Sequence, residues 1–212
     1  MHIKKVANLF INFTIKRIIE IFGIIIFTAG LLLAVSLISY SPDDPNFVFP
    51  DNTKINNILG FQGAIVSDLF FQSIGLISYL FSLTLIITGI NIFRLKDFFL
   101  VFENIFFTII YSLFGSFFLE YFYSNSFTLY INGNGGFIGS YLKQTFLTSL
   151  VQFNEIIFYY VLIILNLTLF LVSINFHPLR FYKTIKKTLS LFLSIGEKNY
   201  TNKNEIIKEY IP

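Results

Sequence analysis

The sequence predicts an all-α integral membrane protein, with four transmembrane helices, two interfacial amphipathic helices on the outer side and both termini in the cytoplasm. Three observations predict it. The 212 residues are 55% hydrophobic and 13% charged, with a mean hydropathy of +0.71, whereas a soluble domain carries about 25% charged residues. The apolar residues gather into four runs, each long enough as a helix to cross a hydrocarbon core of about 30 Å. The basic residues are segregated: of 15 Lys and Arg, only Lys54 and Lys143 fall in the two passages assigned to the outside. The positive-inside rule then sets the orientation.

Residues 1–17 form a basic arm with Lys4, Lys5, Lys16 and Arg17 and no acid. The first span is assigned to 18–38, almost wholly apolar apart from Glu20 near its start. A cleaved signal peptide competes with it, because a basic region precedes the run and Ala34-Val35-Ser36 loosely resembles a cleavage site. The run continues past that point, however, and the later topology needs the helix. Pro42 and Pro45 then stop it, since proline lacks an amide hydrogen and restricts the residue before it. Asp43 and Asp44 between them read as a solvated, helix-ending turn rather than a cation site, which would need about six oxygens.

Gly60 and Gly63 allow a turn into a helix starting near Ala64. Continued unbroken to Phe93 that helix would measure about 45 Å, too long to stand upright. Its first part is therefore assigned to the interface or to a strong tilt, and the second span to 74–93. Asp68, Gln72, Gly75 and Tyr79 recur at spacings of four, three and four, which puts them on one helical face. They are the candidates for helix packing or partner contact, because small and polar residues let helices approach within a membrane.

Arg94-Leu95-Lys96-Asp97 makes a tight basic turn, and the third span returns over 104–122, with Glu103 at headgroup level and Tyr121 and Tyr123 at the far interface. A second outer passage is hinged at Gly133, Gly135, Gly136 and Gly139. Its later half carries Leu142, Phe146, Leu150 and Phe153 on one face and Ser140, Gln144, Thr148 and Gln152 on the other, the pattern of an interfacial amphipathic helix. The fourth span runs over 156–176 and is broken by His177-Pro178. Beyond it, in the cytoplasmic segment 177–212, Arg180, Lys183, Lys186 and Lys187 flank an apolar stripe suited to an anionic leaflet. The remaining tail is polar and linker-like. The two halves share a plan of span, outer loop, glycine hinge, amphipathic helix and returning span, with too little residue identity to make an internal repeat.

Catalytic chemistry finds no foothold. There is no cysteine, and no glycine is followed by lysine, so a G-x-x-x-x-G-K-[ST] phosphate loop is absent from the chain. His2 and His177 stand in no metal-ligand spacing. Asn12-Phe13-Thr14 and Asn166-Leu167-Thr168 match the glycosylation pattern by chance, one inside the cell and one within a span. Glu20, Glu103, Glu120 and Glu155 all lie within a turn or two of a span end, where carboxylates reach headgroups and water. No catalytic, cofactor or metal residue is assigned.

Several short motifs resemble the N-terminal four-span region of the FtsK/SpoIIIE-type bacterial DNA translocases. They are Tyr40-Ser41-Pro42-Asp43-Asp44-Pro45 after the first span, Gly60-x-x-Gly63-Ala64-x-x-Ser67-Asp68-Leu69 leading to Gly75-x-x-Ser78-Tyr79, and Gly135-Gly136-x-x-Gly139 before the fourth. Their order between four spans, over about residues 15–176, makes the resemblance specific. It implies a membrane anchor in the bacterial inner membrane at the division septum, which self-associates and contacts other cell-division membrane proteins as well as the lipid bilayer. ATP, magnesium and DNA would be handled only by a motor domain absent from this chain. The sequence departs from the family pattern in having no Trp and no proline after Tyr79-Leu80. The alternative is a small four-span transporter or channel subunit, against which no span carries a central charge or a pair of broken helices.

Overall fold

The computed structural model describes residues 2–45, 54–124 and 132–178, together with residues 186 and 190; for residues 2–8 it describes the backbone alone. Among the described residues every regular element is helical: α1 (His2–Ile38), α2 (Gly60–Ile74), a 3-10 turn (Gly75–Ile77), α3 (Ser78–Leu95), α4 (Phe99–Tyr123), α5 (Gly136–Lys143), α6 (Phe146–Phe153) and α7 (Glu155–Ser173). Four stretches are long and apolar enough to cross a membrane: Leu9–Ile38, Gly60–Leu95, Phe99–Tyr123 and Glu155–Ser173. The all-α, four-span class read from composition is the class observed. The chain forms two units, Met1–Ile174 and Asn175–Pro212; in the second, Asn175 has φ 51° and its carbonyl lies 2.8 Å from His177 Nδ1.

α1 is longer than its assigned span, because the basic arm continues the helix down to His2 without a glycine or proline to stop it. Its far end closes when Ser39 gives both its N–H and its hydroxyl to Val35 O, at 3.1 and 2.7 Å, just ahead of Pro42. α1 runs against α3 with the backbones in contact. A Cβ on Gly89 would come 2.5 Å from Phe27 N, one on Gly23 2.8 Å from Phe93 N, and one on Gly30 2.8 Å from Ile86 N. Small residues allow this approach where lipid supplies no hydrophobic drive between helices.

The main departure from the expected pattern lies between α2 and α3. Spacing alone reads helical throughout, yet the helix stops at Ile74, and Gly75 takes φ 62°. In an unbroken helix Leu76 N–H would bond Gln72 O. Instead it bonds Asn134 O at 3.0 Å, and Gln72 O accepts from Asn132 Nδ2 at 3.2 Å. Ile74 O accepts from the Ser116 hydroxyl at 3.0 Å. Leu76 N–H, Gln72 O and Ile74 O are thus taken up by the second loop and by α4.

The amphipathic helix expected over the second loop divides in two at Gln144 and Thr145, where the Thr145 hydroxyl caps α6 by accepting from Leu147 N. α4 starts five residues before the assigned third span, its first turn capped by Asp97 Oδ1 on Phe99 N at 2.9 Å. α7 ends at Ser173, ahead of His177-Pro178, because Asn175 already has a left-handed backbone.

The helices pair as α1 with α3 and α4 with α7. α3 meets α4 between the pairs, and α2 crosses from α1 to α4 and α5. The apolar core follows that crossing in three clusters: Leu33, Leu37 and Phe71; Ile74, Ile77 and Tyr111; and Phe117, Val151 and Leu162.

Candidate functional site

The site is the end of the bundle that carries the two long loops, here called the loop end; the opposite end, at residues 96–98, is the turn end. Around the first loop, Asp44 is buried and spends both carboxylate oxygens on backbone donors, Oδ1 on Asn56 N at 2.7 Å and Oδ2 on Asn57 N at 2.9 Å. Only Asp43 is the solvated member of the acidic turn. Pro42 and Pro45 bracket this clamp, and Pro45 is fully buried. Asn57 extends it, donating through Nδ2 to Ser36 O at 2.9 Å. Ser36 in turn donates to Gly63 O at 2.5 Å. Gly63 has no room for a side chain, since a Cβ would lie 2.2 Å from Asn57 Oδ1, whereas Gly60 (φ 67°) faces open space and is needed for its backbone angle alone.

The four residues read as one helical face are divided by the break at Gly75. Asp68 Oδ1 accepts from Tyr40 OH at 3.3 Å and from Gln72 Nε2 at 3.5 Å. Burial, and then the negative charge of Asp68, push the Tyr40 hydroxyl above its ordinary pKa, so it stays neutral and donating at physiological pH. Gln72 Oε1 accepts from Asn132 Nδ2 at 3.0 Å. Tyr79, beyond the break, donates to Leu37 O at 3.3 Å, with the Phe71 ring between it and Tyr40 at centroid distances of 5.5 and 4.8 Å. Asp68, Gln72 and Tyr79 therefore tie α2 and α3 to α1 and to the second loop.

The glycine hinge lies across Gly75. A Cβ on Gly75 would come 1.9 Å from Asn134 O, and one on Gly136 (φ 65°) 2.6 Å from Gly75 N. Gly135 and Gly139 both bear on Ser116 O, where a Cβ would come within 2.3 and 2.5 Å. Fully buried Asn134 donates through Nδ2 to Tyr123 O, and Lys143 Nζ bonds Glu120 O at 3.1 Å with its ion-pair contact to Oε1 at 3.5 Å. At the same end Tyr121 OH donates to Glu155 Oε1 at 2.8 Å and Tyr123 OH meets Tyr159 OH at 2.6 Å, joining α4 to α7.

Sequence reasoning missed three sets of residues. A polar seam joins α3 to α4: Thr84 Oγ1 and Tyr111 OH lie 2.8 Å apart, and Asn104 Nδ2 donates to Thr88 Oγ1 at 2.8 Å. Its signal was present in the spacing of Asn104, Thr108, Ser112 and Ser116, every four residues along one face. Glu20, taken as a headgroup residue, is buried and ion-paired with Arg17 and, at 2.6 Å, with Lys96, locking α1 to the turn end. The third set is the Gly23, Gly30 and Gly89 contact. Of the C-terminal basic patch, Lys186 is exposed, while Arg180, Lys183 and Lys187 lie outside the described residues. Among the described residues no three His, Asp or Glu side chains gather as a metal site would need.

Comparisons with known proteins place the four-span region in a family. The family model described as the 4TM region of DNA translocase FtsK/SpoIIIE matches residues 15–186. A protein named DNA translocase FtsK from Rickettsia prowazekii is 35% identical over 69 residues, 32% of this chain and 9% of that protein. Its namesake from Rickettsia typhi is 34% identical over 67 residues, 32% of this chain and 9% of that protein. The protein of that name from Azospirillum brasilense is 37% identical over 79 residues, 36% and 12% of the respective chains. The matched stretch thus spans about a tenth of the length of these relatives. No solved structure matches. With four span-length helices set out as above and the family match running from the first through the last of them, the chain belongs to the family of the 4TM region of DNA translocase FtsK/SpoIIIE.

Proposed function

We propose that this chain is the membrane anchor and divisome-contacting region of a DNA translocase that acts in chromosome segregation and cell division at the septum. The observation that supports the reading most is the family match over residues 15–186, laid on four span-length helices. In this reading both termini are cytoplasmic, in keeping with the basic residues at the turn end and in the C-terminal segment. The loop end faces outward. α5 and α6 lie in the outer interface, where their exposed Phe137, Tyr141, Phe146 and Phe153 meet headgroups and acyl chains. The Asp68 face, the acidic loop and the glycine hinge hold the outer surface that other division proteins contact, and the anchor self-associates. Arg180, Lys183, Lys186 and Lys187 rest on the anionic cytoplasmic leaflet. DNA, ATP and magnesium belong to a motor domain outside these 212 residues.

A fluorescent fusion to the C-terminus tests the reading in dividing bacteria. Enrichment at midcell is expected; uniform labelling of the envelope would overturn the division role while leaving the membrane architecture untouched.

A further inference from the structure

Near the turn end two surfaces on opposite sides of the bundle match one another. The first is a groove between α1 and α3, a cavity of about 250 Å³ lined by Gly23, Ile24, Phe27, Gly89, Ile90 and Phe93. It lies along the seam where the two glycines bring the backbones of α1 and α3 into contact. Its size suits an aromatic ring, since protein cavities of about 150 Å³ accept benzene. Arg94, exposed and one helical turn on from Ile90, shares the face of α3 that lines it.

The second surface is the outward face of the first turns of α4. Phe99, Phe102 and Phe106 are 78%, 61% and 59% exposed, and they share an arc of about 60° on the helix. Glu103, at the edge of that arc, is exposed. Neither Glu103 nor Arg94 makes an ion pair among the described residues. The two surfaces lie at matching depth. At 1.5 Å per residue, Phe106 is about 10 Å and Glu103 about 6 Å into α4, while Gly89 is about 9 Å and Arg94 about 2 Å from the end of α3. They also point apart. Phe22 reaches Phe98 at 5.2 Å on the α4 side of α1, whereas Ile24, two residues on, lines the groove.

We propose that copies of this chain dock head to tail, the Phe102–Phe106 ridge of one α4 seating in the Gly23–Gly89 groove of the next copy with Glu103 against its Arg94. This rests on the self-association in the proposed function and names its surface. Lipid tails could fill the groove but would leave Glu103 unmatched. An exposed acid at the basic end of the bundle is repelled by anionic headgroups and drawn to a base. The charged pair sets the register and the aromatic ridge supplies the packing. Because the two surfaces differ, the contact is heterologous and propagates into a ring or a chain.

The chain has no cysteine of its own, so oxidative cross-linking in native membranes reads the contact directly. Phe106→Cys and Ile90→Cys are made singly and together, with Ile164→Cys paired to Phe106→Cys as the lipid-facing control. Co-expressed single variants should give a dimer, and the double variant a ladder, at least tenfold above the control. Adding Glu103→Arg should reduce the yield at least tenfold, and adding Arg94→Glu as well should restore it. A yield no higher than the control overturns the proposal. So does either single variant cross-linking to itself as strongly as the pair, and so does loss by Glu103→Arg without restoration. Midcell fluorescence of the same variants reads the anchor role separately, so the loss of cross-links with septal enrichment retained refutes this contact alone.

Discussion

At Gly75 the chain needs two things that only glycine supplies, a φ of 62° and the absence of an atom where Asn134 O sits. Gly60 separates the two requirements, because its φ is 67° yet a Cβ there would meet nothing within 4 Å. Gly60→Ala therefore carries only the left-handed penalty of about 1–2 kcal/mol. Gly75→Ala adds overpacking of about 1–3 kcal/mol against backbone that cannot rotate away. Unfolding in detergent followed by circular dichroism should show Gly75→Ala as the more destabilised of the two by at least about 1 kcal/mol. Equal losses would mean that the Asn134 contact is not what fixes the break. Asp44 and Glu20 teach a related lesson. Each stands in the sequence as an acid near a helix end, and burial turns each into a clamp, one on backbone N–H groups and one on two cations. Arg17, three residues before Glu20, is a local signal for one of these contacts, whereas Asn56, Asn57 and Lys96 are remote in sequence and leave no such trace.

At the scale of elements, α1 and α3 meet backbone to backbone. Gly89→Leu places a branched side chain where a single Cβ would already lie 2.5 Å from Phe27 N. The helices must separate, and the stability cost is expected at the upper end of the usual overpacking range, about 3 kcal/mol. Thermal unfolding of Gly89→Leu beside Leu83→Ala, a change on an exposed position of the same helix, checks this; similar losses would count against backbone contact. The four spans were legible in advance because a long apolar run is a property of composition that survives any tertiary arrangement. Their ends and breaks were less so. Asp68, Gln72, Gly75 and Tyr79 keep helical spacing across a helix that stops, because the stop is imposed by Asn132 and Asn134 about 60 residues later. The amphipathic passage read as one helix is two, because the bend at Thr145 depends on a cap that hydrophobic periodicity does not register. The glycine hinge was visible as a hinge, while its function of receiving the broken second span was not.

Across the whole membrane unit, two helix pairs, α1 with α3 and α4 with α7, are joined through the polar seam of α3 and α4 and through α2, which crosses at the loop end. Among the described residues both halves run from a long helix through shorter helical pieces to a returning helix, but only the first carries a broken span and only the second a divided amphipathic segment. The account as a whole depends on the alternation of four spans, which puts both long loops on one side of the membrane and the 96–98 turn on the other. Single cysteines tested with a membrane-impermeant maleimide in intact cells measure it most directly, because the chain has no cysteine to interfere. Asn52→Cys and Ser126→Cys are predicted to label from outside, and Asp97→Cys only after the cells are opened; labelling of Asp97→Cys in intact cells, or loops 52 and 126 reacting on different sides, would contradict the four-span architecture.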